Sequence, residues 1–111
     1  MSQRIQRVNQ LLRQEISQLL LKEVNFENAL VTVTEIKTSS DLKHARVKIS
    51  VMPEEKSELV LKILQKNIFH IQQQLNKKLY MRPVPKICFE IDQTEVRAQK
   101  IEKILKGLKK P

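Results

Sequence analysis

The stretch LQKNIFHIQQQLNKKLYMRPVPKICFEID, residues 64–92, decides the fold, because a helix pattern in it gives way to a strand pattern. Its first apolar residues recur at steps of three and four, the spacing of one helix face: Leu64, Ile68, Ile71 and Leu75. The prolines of RPVP end that pattern, since proline lacks a backbone N–H donor. KICFEI then alternates like a half-buried strand. The stretch therefore predicts an α+β fold.

The preceding residues predict one more helix and two more strands. Apolar residues recur at helical spacing from Ile5 to Leu19, which indicates a first amphipathic helix. ALVTVTEIKT and HARVKISV predict two strands, and the short SSDLK segment between them favours an antiparallel hairpin. Within the first strand Ile36 falls out of phase with Val33, which indicates a β-bulge or a strand end.

The second helix presents a problem of length. A continuous helix over residues 54–79 would be about 39 Å long, which exceeds the width of so small a domain. We therefore predict a kink at Asn67 and Phe69, since asparagine is a weak helix former. The predicted order is α-β-β-α-kink-α-β, a KH-like (type II) arrangement of a three-stranded sheet with helices on one face. It spans residues 1–93, and residues 94–111 form a basic C-terminal helical tail.

Charge is the strongest compositional bias of the chain. Its 111 residues include 21 Lys and Arg against 12 Asp and Glu, a net charge of +9. Such a field attracts polyanions, above all nucleic acid, with an anionic membrane surface as the alternative. The N-terminus lacks the apolar core of a signal peptide, and Cys88 has no second cysteine to pair with. We expect a cytoplasmic monomer that binds no membrane.

Catalytic groups do not converge anywhere in the sequence. His44 and His70 have no cysteine or acidic partner at metal-ligand spacing. Gly107 is the only glycine, so a phosphate-binding glycine-rich loop is excluded. The sequence predicts no enzyme activity, no metal site and no cofactor.

The basic residues are segregated from the acidic ones. Residues 60–89 hold six basic residues and no acid, and arginines cluster in the first helix. Single lysines are usually solvated, but a run of one sign repels itself unless a polyanion relieves it. The candidate RNA-binding residues are Arg4, Arg7, Arg46, Lys48, Lys66, Lys77, Lys78, Arg82 and Lys86. Composition leaves structured RNA, DNA and a membrane or protein surface as open alternatives.

Several short motifs resemble the bacterial ribosome-binding factor A family. RIQRV opens the first helix, and SSDLKHARVKISV matches an Asp-Leu-x-x-Ala motif followed by an alternating strand. LYMRPVPKICFEID matches Arg-x-x-Pro-x-Leu-x-Phe-x-x-Asp, with Ile87 at the leucine position. The family breaks its long helix at Ala-x-Gly, where this chain has Asn67 and Phe69. A shorter NFEN segment replaces the family's Asp-Pro-Arg, and the Gly-x-x-Gly loop of ordinary KH domains is absent.

The resemblance implies a KH-like fold and a non-enzymatic ribosome assembly factor. Such a factor binds the immature small ribosomal subunit and its rRNA, near the 5′ end and the decoding region. It promotes late maturation and rRNA processing, works alongside other assembly factors such as a maturation GTPase, and matters most in the cold. A DNA- or RNA-binding basic module without a ribosomal role is the alternative.

Overall fold

The computed structural model describes residues 3–93, which form two helices and one sheet. The elements are α1 Gln3–Glu23, β1 Leu30–Thr38, β2 His44–Met52, α2 Ser57–Lys78 and β3 Lys86–Ile91, with a 3₁₀ turn at Glu54–Lys56 before α2. The predicted basic helix over residues 94–111 lies outside the described residues.

The sheet has the strand order β1-β2-β3. Strands β1 and β2 form the predicted antiparallel hairpin, whereas β3 runs parallel to β2 after the α2 crossover. The predicted bulge is confirmed, because the register shifts between Val33 and Glu35. The extra residue returns Ile36 to the inner face, where it is buried. It also places Lys37 beside Arg46 on the outer face.

Helices α1 and α2 cover the inner face of the sheet and enclose a single apolar core. The apolar positions that the helix and strand patterns predicted supply its centre: Val8, Leu12, Ile16, Val33, Val47, Ile49, Val51, Leu64, Ile71, Leu75 and Ile87. Phe89 faces the core as predicted but is only partly buried, because β3 is an edge strand. The open face of the sheet, opposite the helices, carries the polar side chains of β2.

The predicted kink at Asn67 and Phe69 does not divide the second helix, because α2 is one helix that runs through both residues. Its 22 residues span about 33 Å, less than the length on which the kink was argued. The first residues of the segment form the separate 3₁₀ turn instead. Within the helix, the Asn67 side-chain Nδ2 donates to the Ile63 carbonyl one turn earlier at 2.8 Å.

The loop between β1 and β2, residues 39–43, is held by its own side chains. The Asp41 carboxylate accepts hydrogen bonds from the Ser39 hydroxyl and from the Lys43 N–H. Leu42 has a positive φ of 61°, and its side chain nevertheless packs against the core. These contacts fix the direction in which β2 leaves the loop, with Ala45 fully buried.

Candidate nucleic-acid interface

Three elements of the fold converge at the end of the molecule that carries the 39–43 loop, here called the hairpin end. The Thr38 hydroxyl, at the end of β1, donates to the Asn9 side chain of α1. The Lys86 N–H, at the start of β3, donates to the Lys43 carbonyl at 2.8 Å. The first turns of α1 and the starts of β2 and β3 therefore lie together.

Helix α2 also ends at the hairpin end. Midway along α2, Gln65 and Ile68 border Ile87 and Phe89. One turn later, the Gln72 amide bonds the Pro85 carbonyl and the Ile87 N–H, at 3.1 and 2.9 Å. The helix therefore runs towards the start of β3, and its last turn lies beyond that start.

The hairpin end brings together most of the cations that the sequence singled out. All of them are exposed, and they come from both helices, β2 and β3 with its preceding segment: Arg4, Arg7, Arg46, Lys77, Lys78, Arg82 and Lys86. Lys86 stands beside His44 in the sheet register. Asp41 is the acidic residue of the loop at this end, and its carboxylate is already bonded to Ser39 and Lys43.

Two predicted residues lie apart from this group. Lys48 occupies the middle of the open sheet face, between Glu35 on β1 and Glu90 on β3. Its Nζ is 3.8 Å from the Glu35 carboxylate, so part of its charge is already compensated. Lys66 is exposed in the middle of α2, well before the last turn of the helix.

The structure adds two cations that the sequence did not single out. Lys37 lies opposite Arg46 in the β1–β2 register, on the open face of the sheet. Lys43 lies beside the start of β3, where its carbonyl accepts a hydrogen bond from the Lys86 N–H. The out-of-phase Ile36 was the signal for Lys37, because a bulge that turns Ile36 inward turns its neighbour outward. Lys43 gave no such signal, since loop position depends on contacts distant in sequence.

Among residues 3–93, no three His, Cys, Asp or Glu side chains are placed to hold a metal ion. Neither α1 nor α2 is long and apolar enough to cross a membrane.

Two helices on one face of a three-stranded mixed sheet define a KH-like α+β domain. Unlike ordinary KH domains, this one has no Gly-x-x-Gly loop. Comparison with known proteins narrows the class to one family. The family model described as ribosome-binding factor A matches residues 4–105. The chain therefore belongs to the ribosome-binding factor A family, as its motifs indicated.

Two curated relatives illustrate the extent of the match. The chain is 38% identical to ribosome-binding factor A of Pelagibacter ubique, over 98% of this chain and 93% of the relative. It is 36% identical to that of Pelodictyon phaeoclathratiforme, over 99% and 95%. The similarity therefore extends over nearly the full length of both proteins.

Solved structures share the fold. The crystal structure of ribosome-binding factor A from Thermus thermophilus superposes with a TM-score of 0.64 at 21% identity, covering 78% of this chain and 94% of that one. A homology model of the Thermus thermophilus protein, fitted into the cryo-EM map of a complex with the 30S subunit, gives 0.65 at 19% identity, covering 76% and 90%. At these identities the likeness concerns the fold.

Proposed function

We propose that this protein is a ribosome assembly factor that binds the immature small ribosomal subunit through its rRNA. The observation that supports the proposal is the hairpin end, the end of the domain at which exposed cations of both helices and of β2 and β3 lie. Membership of the ribosome-binding factor A family supports the ribosomal target. So does the relative from Thermus thermophilus that was fitted in complex with the 30S subunit.

Recognition through the phosphate backbone suits this surface. Lysine and arginine side chains contact phosphates and position a protein on RNA, while sequence readout needs base edges or stacking. Most cations of the hairpin end belong to helices and strands packed on one core, so their backbone positions are set before binding. A fixed pattern of charges selects folded RNA whose phosphates match it.

The finer role rests on the family. The protein promotes late maturation and rRNA processing near the 5′ end and the decoding region, and leaves before translation begins. It acts by binding rather than by catalysis, in the cytoplasm and in sequence with other assembly factors such as a maturation GTPase. Its contribution grows in the cold, when misfolded rRNA rearranges slowly.

Co-sedimentation with purified small subunits, large subunits and mature ribosomes tests the proposal. Small subunits should retain the wild-type protein most strongly. The joint change Lys77→Glu, Lys78→Glu and Arg82→Glu should abolish that retention, because it reverses the charge at the end of α2. All three side chains are exposed, so circular dichroism and the melting temperature should stay nearly unchanged.

The matched control reverses charge elsewhere. Arg13 and Lys22 are exposed cations of α1 outside the hairpin end. The joint change Arg13→Glu and Lys22→Glu should leave most of the binding intact. Equal loss in the two variants would show that net charge, rather than the hairpin end, determines association, and would contradict the proposal.

A further inference from the structure

The outward side of α2 carries a second feature, which shares only Lys77 with the hairpin end. One residue per turn points away from the core, at steps of four, three, four and four. These residues, here called the α2 stripe, are Lys62, Lys66, Phe69, Gln73 and Lys77. All are exposed. The stripe therefore alternates cations, one aromatic ring and one amide along a single helix face.

Phe69 is the unusual member of the stripe. Its side chain is 71% exposed, although α2 turns its apolar face inward and the core is complete without it. A single exposed apolar side chain is common on a protein surface, so the charges around Phe69 carry the argument for a partner.

The charges around Phe69 indicate the kind of partner that fits it. Helix α2 contains no acidic residue after Glu58. From other segments, Glu27 borders the same depression as Lys62 and Lys66, and Glu23 bonds His70 at 2.7 Å. Two carboxylates thus border the stripe, whose cations still exceed them. A partner that brings negative charge and a flat apolar surface suits this face.

We propose that Phe69 stacks on an unpaired base of the small-subunit rRNA. Lys66, one turn before the ring, contacts a flanking phosphate, and Gln73, one turn after it, bonds the edge of the stacked base. A nucleotide supplies both the negative charge and the flat ring that suit this face, and base–aromatic stacking is a general mode of binding to single-stranded RNA. The inference rests on the proposed function for its target.

Salt dependence separates stacking from charge. Phe69→Ala should weaken binding to small subunits about 5- to 150-fold, the range for loss of one stacked base. The slope of log affinity against log salt should not change, because no phosphate contact is lost. Lys66→Gln should instead make the slope shallower. Leu21→Ala, which removes a side chain 82% exposed on α1, is the control and should change neither quantity.

A tryptophan reporter tests the stacking itself. The chain has no tryptophan, so Phe69→Trp introduces a single selectively excited fluorophore. A short oligoadenylate should quench its emission, whereas an abasic strand of the same length, with the same phosphates, should not. Small subunits should also quench it, with affinity at least equal to that of the wild type.

The outcomes distinguish this inference from the proposed function. Failure of the wild-type protein to bind small subunits contradicts the proposed function. Binding by the wild type that Phe69→Ala leaves unchanged overturns the stacking inference alone. Equal quenching by the abasic strand also overturns it. A blue shift of the tryptophan on small subunits without quenching assigns the ring to a ribosomal protein, and this too overturns it.

Discussion

At the scale of single residues, the side chain of Gln72 links helix α2 to the start of β3 by two hydrogen bonds. Its Nε2 donates to the Pro85 carbonyl at 3.1 Å, and its Oε1 accepts from the Ile87 N–H at 2.9 Å. We expect Gln72→Ala to lower the free energy of unfolding by about 1–3 kcal/mol, since two partly buried hydrogen bonds are lost. Urea denaturation measures the difference.

Gln73→Ala is the matched control for this prediction. Gln73 is the next residue of the same helix and is exposed, so the same substitution removes no contact with β3. Its effect should stay within about 0.5 kcal/mol. If Gln72→Ala cost no more than Gln73→Ala, the amide would not hold the two elements together.

The carboxyl group of Asp41 should make the stability of the fold depend on pH. The Ser39 hydroxyl and then the Lys43 N–H bond its carboxylate, and these bonds lower the pKa of Asp41 below its ordinary value. A lowered folded-state pKa stabilises the fold above the unfolded-state pKa, and that contribution is lost as pH falls through the folded-state value. Wild type should therefore melt higher than Asp41→Asn at neutral pH, and the gap should close in acid.

An NMR titration of the carboxyl checks the cause. In Ser39→Ala the pKa of Asp41 should rise, because the largest contribution to the shift is removed. An unchanged pKa in that variant would rule out the hydroxyl as the source. A gap in melting temperature that persists undiminished in acid would contradict the predicted pH dependence.

Single residues differ in how far the sequence could predict them. Ala45 is buried as its place in an alternating strand predicts, because side chains two apart share a face. Gln72 gave no signal, since its partners are backbone groups of another element and any polar residue on a helix looks alike. Its role became visible only once β3 was placed beside α2.

At the scale of elements, α2 tests the difference between a continuous and a kinked helix. Because α2 runs through Phe69, glycine there would sit in an exposed helix interior. We expect Phe69→Gly to be about 1 kcal/mol less stable than Phe69→Ala, the usual difference between the two residues in a helix. Urea denaturation of the two variants measures it. Equal stability would favour the kink that the sequence analysis predicted.

The bulge and the kink differ in how directly the sequence predicts them. The bulge was predictable because Ile36 is out of phase, a signal that lies in β1 itself. The kink rested on an estimate of length and on the family's Ala-x-Gly pattern. The structure shows that α2 is continuous through Asn67 and that a 3₁₀ turn precedes it. The kink itself stays a prediction. The phase of apolar residues within one strand was therefore more direct evidence than an estimate of helix length.

At the scale of the whole molecule, the grouping of cations follows from topology more than from charge count. The sequence placed basic residues in the first helix, the second strand and the α2–β3 segment. It could not show that these regions meet, because that depends on α1 running antiparallel to β1 and on β3 pairing parallel to β2. The same topology places Lys48, on the open sheet face, and Lys66, in the middle of α2, apart from the hairpin end.

This grouping predicts how salt should act on the intact protein. Each phosphate neutralised by a lysine or arginine releases condensed counterions, so association with small subunits should weaken steeply as salt rises. The joint change of Lys77, Lys78 and Lys86 to glutamine should make the slope of log affinity against log salt shallower. Lys48→Gln should change it less, because Glu35 already lies 3.8 Å from the Lys48 ammonium. Titrations of fluorescently labelled protein with small subunits at several salt concentrations measure both slopes.

Removal of residues 94–111 completes the comparison, because the deleted segment is itself basic. The proposed binding surface is the hairpin end, whose cations all precede residue 94 in the chain. The deletion should therefore weaken binding less than the joint change of Lys77, Lys78 and Arg82 to glutamate. If the truncated protein lost binding and the triple variant kept it, the tail rather than the hairpin end would be the surface that meets the rRNA.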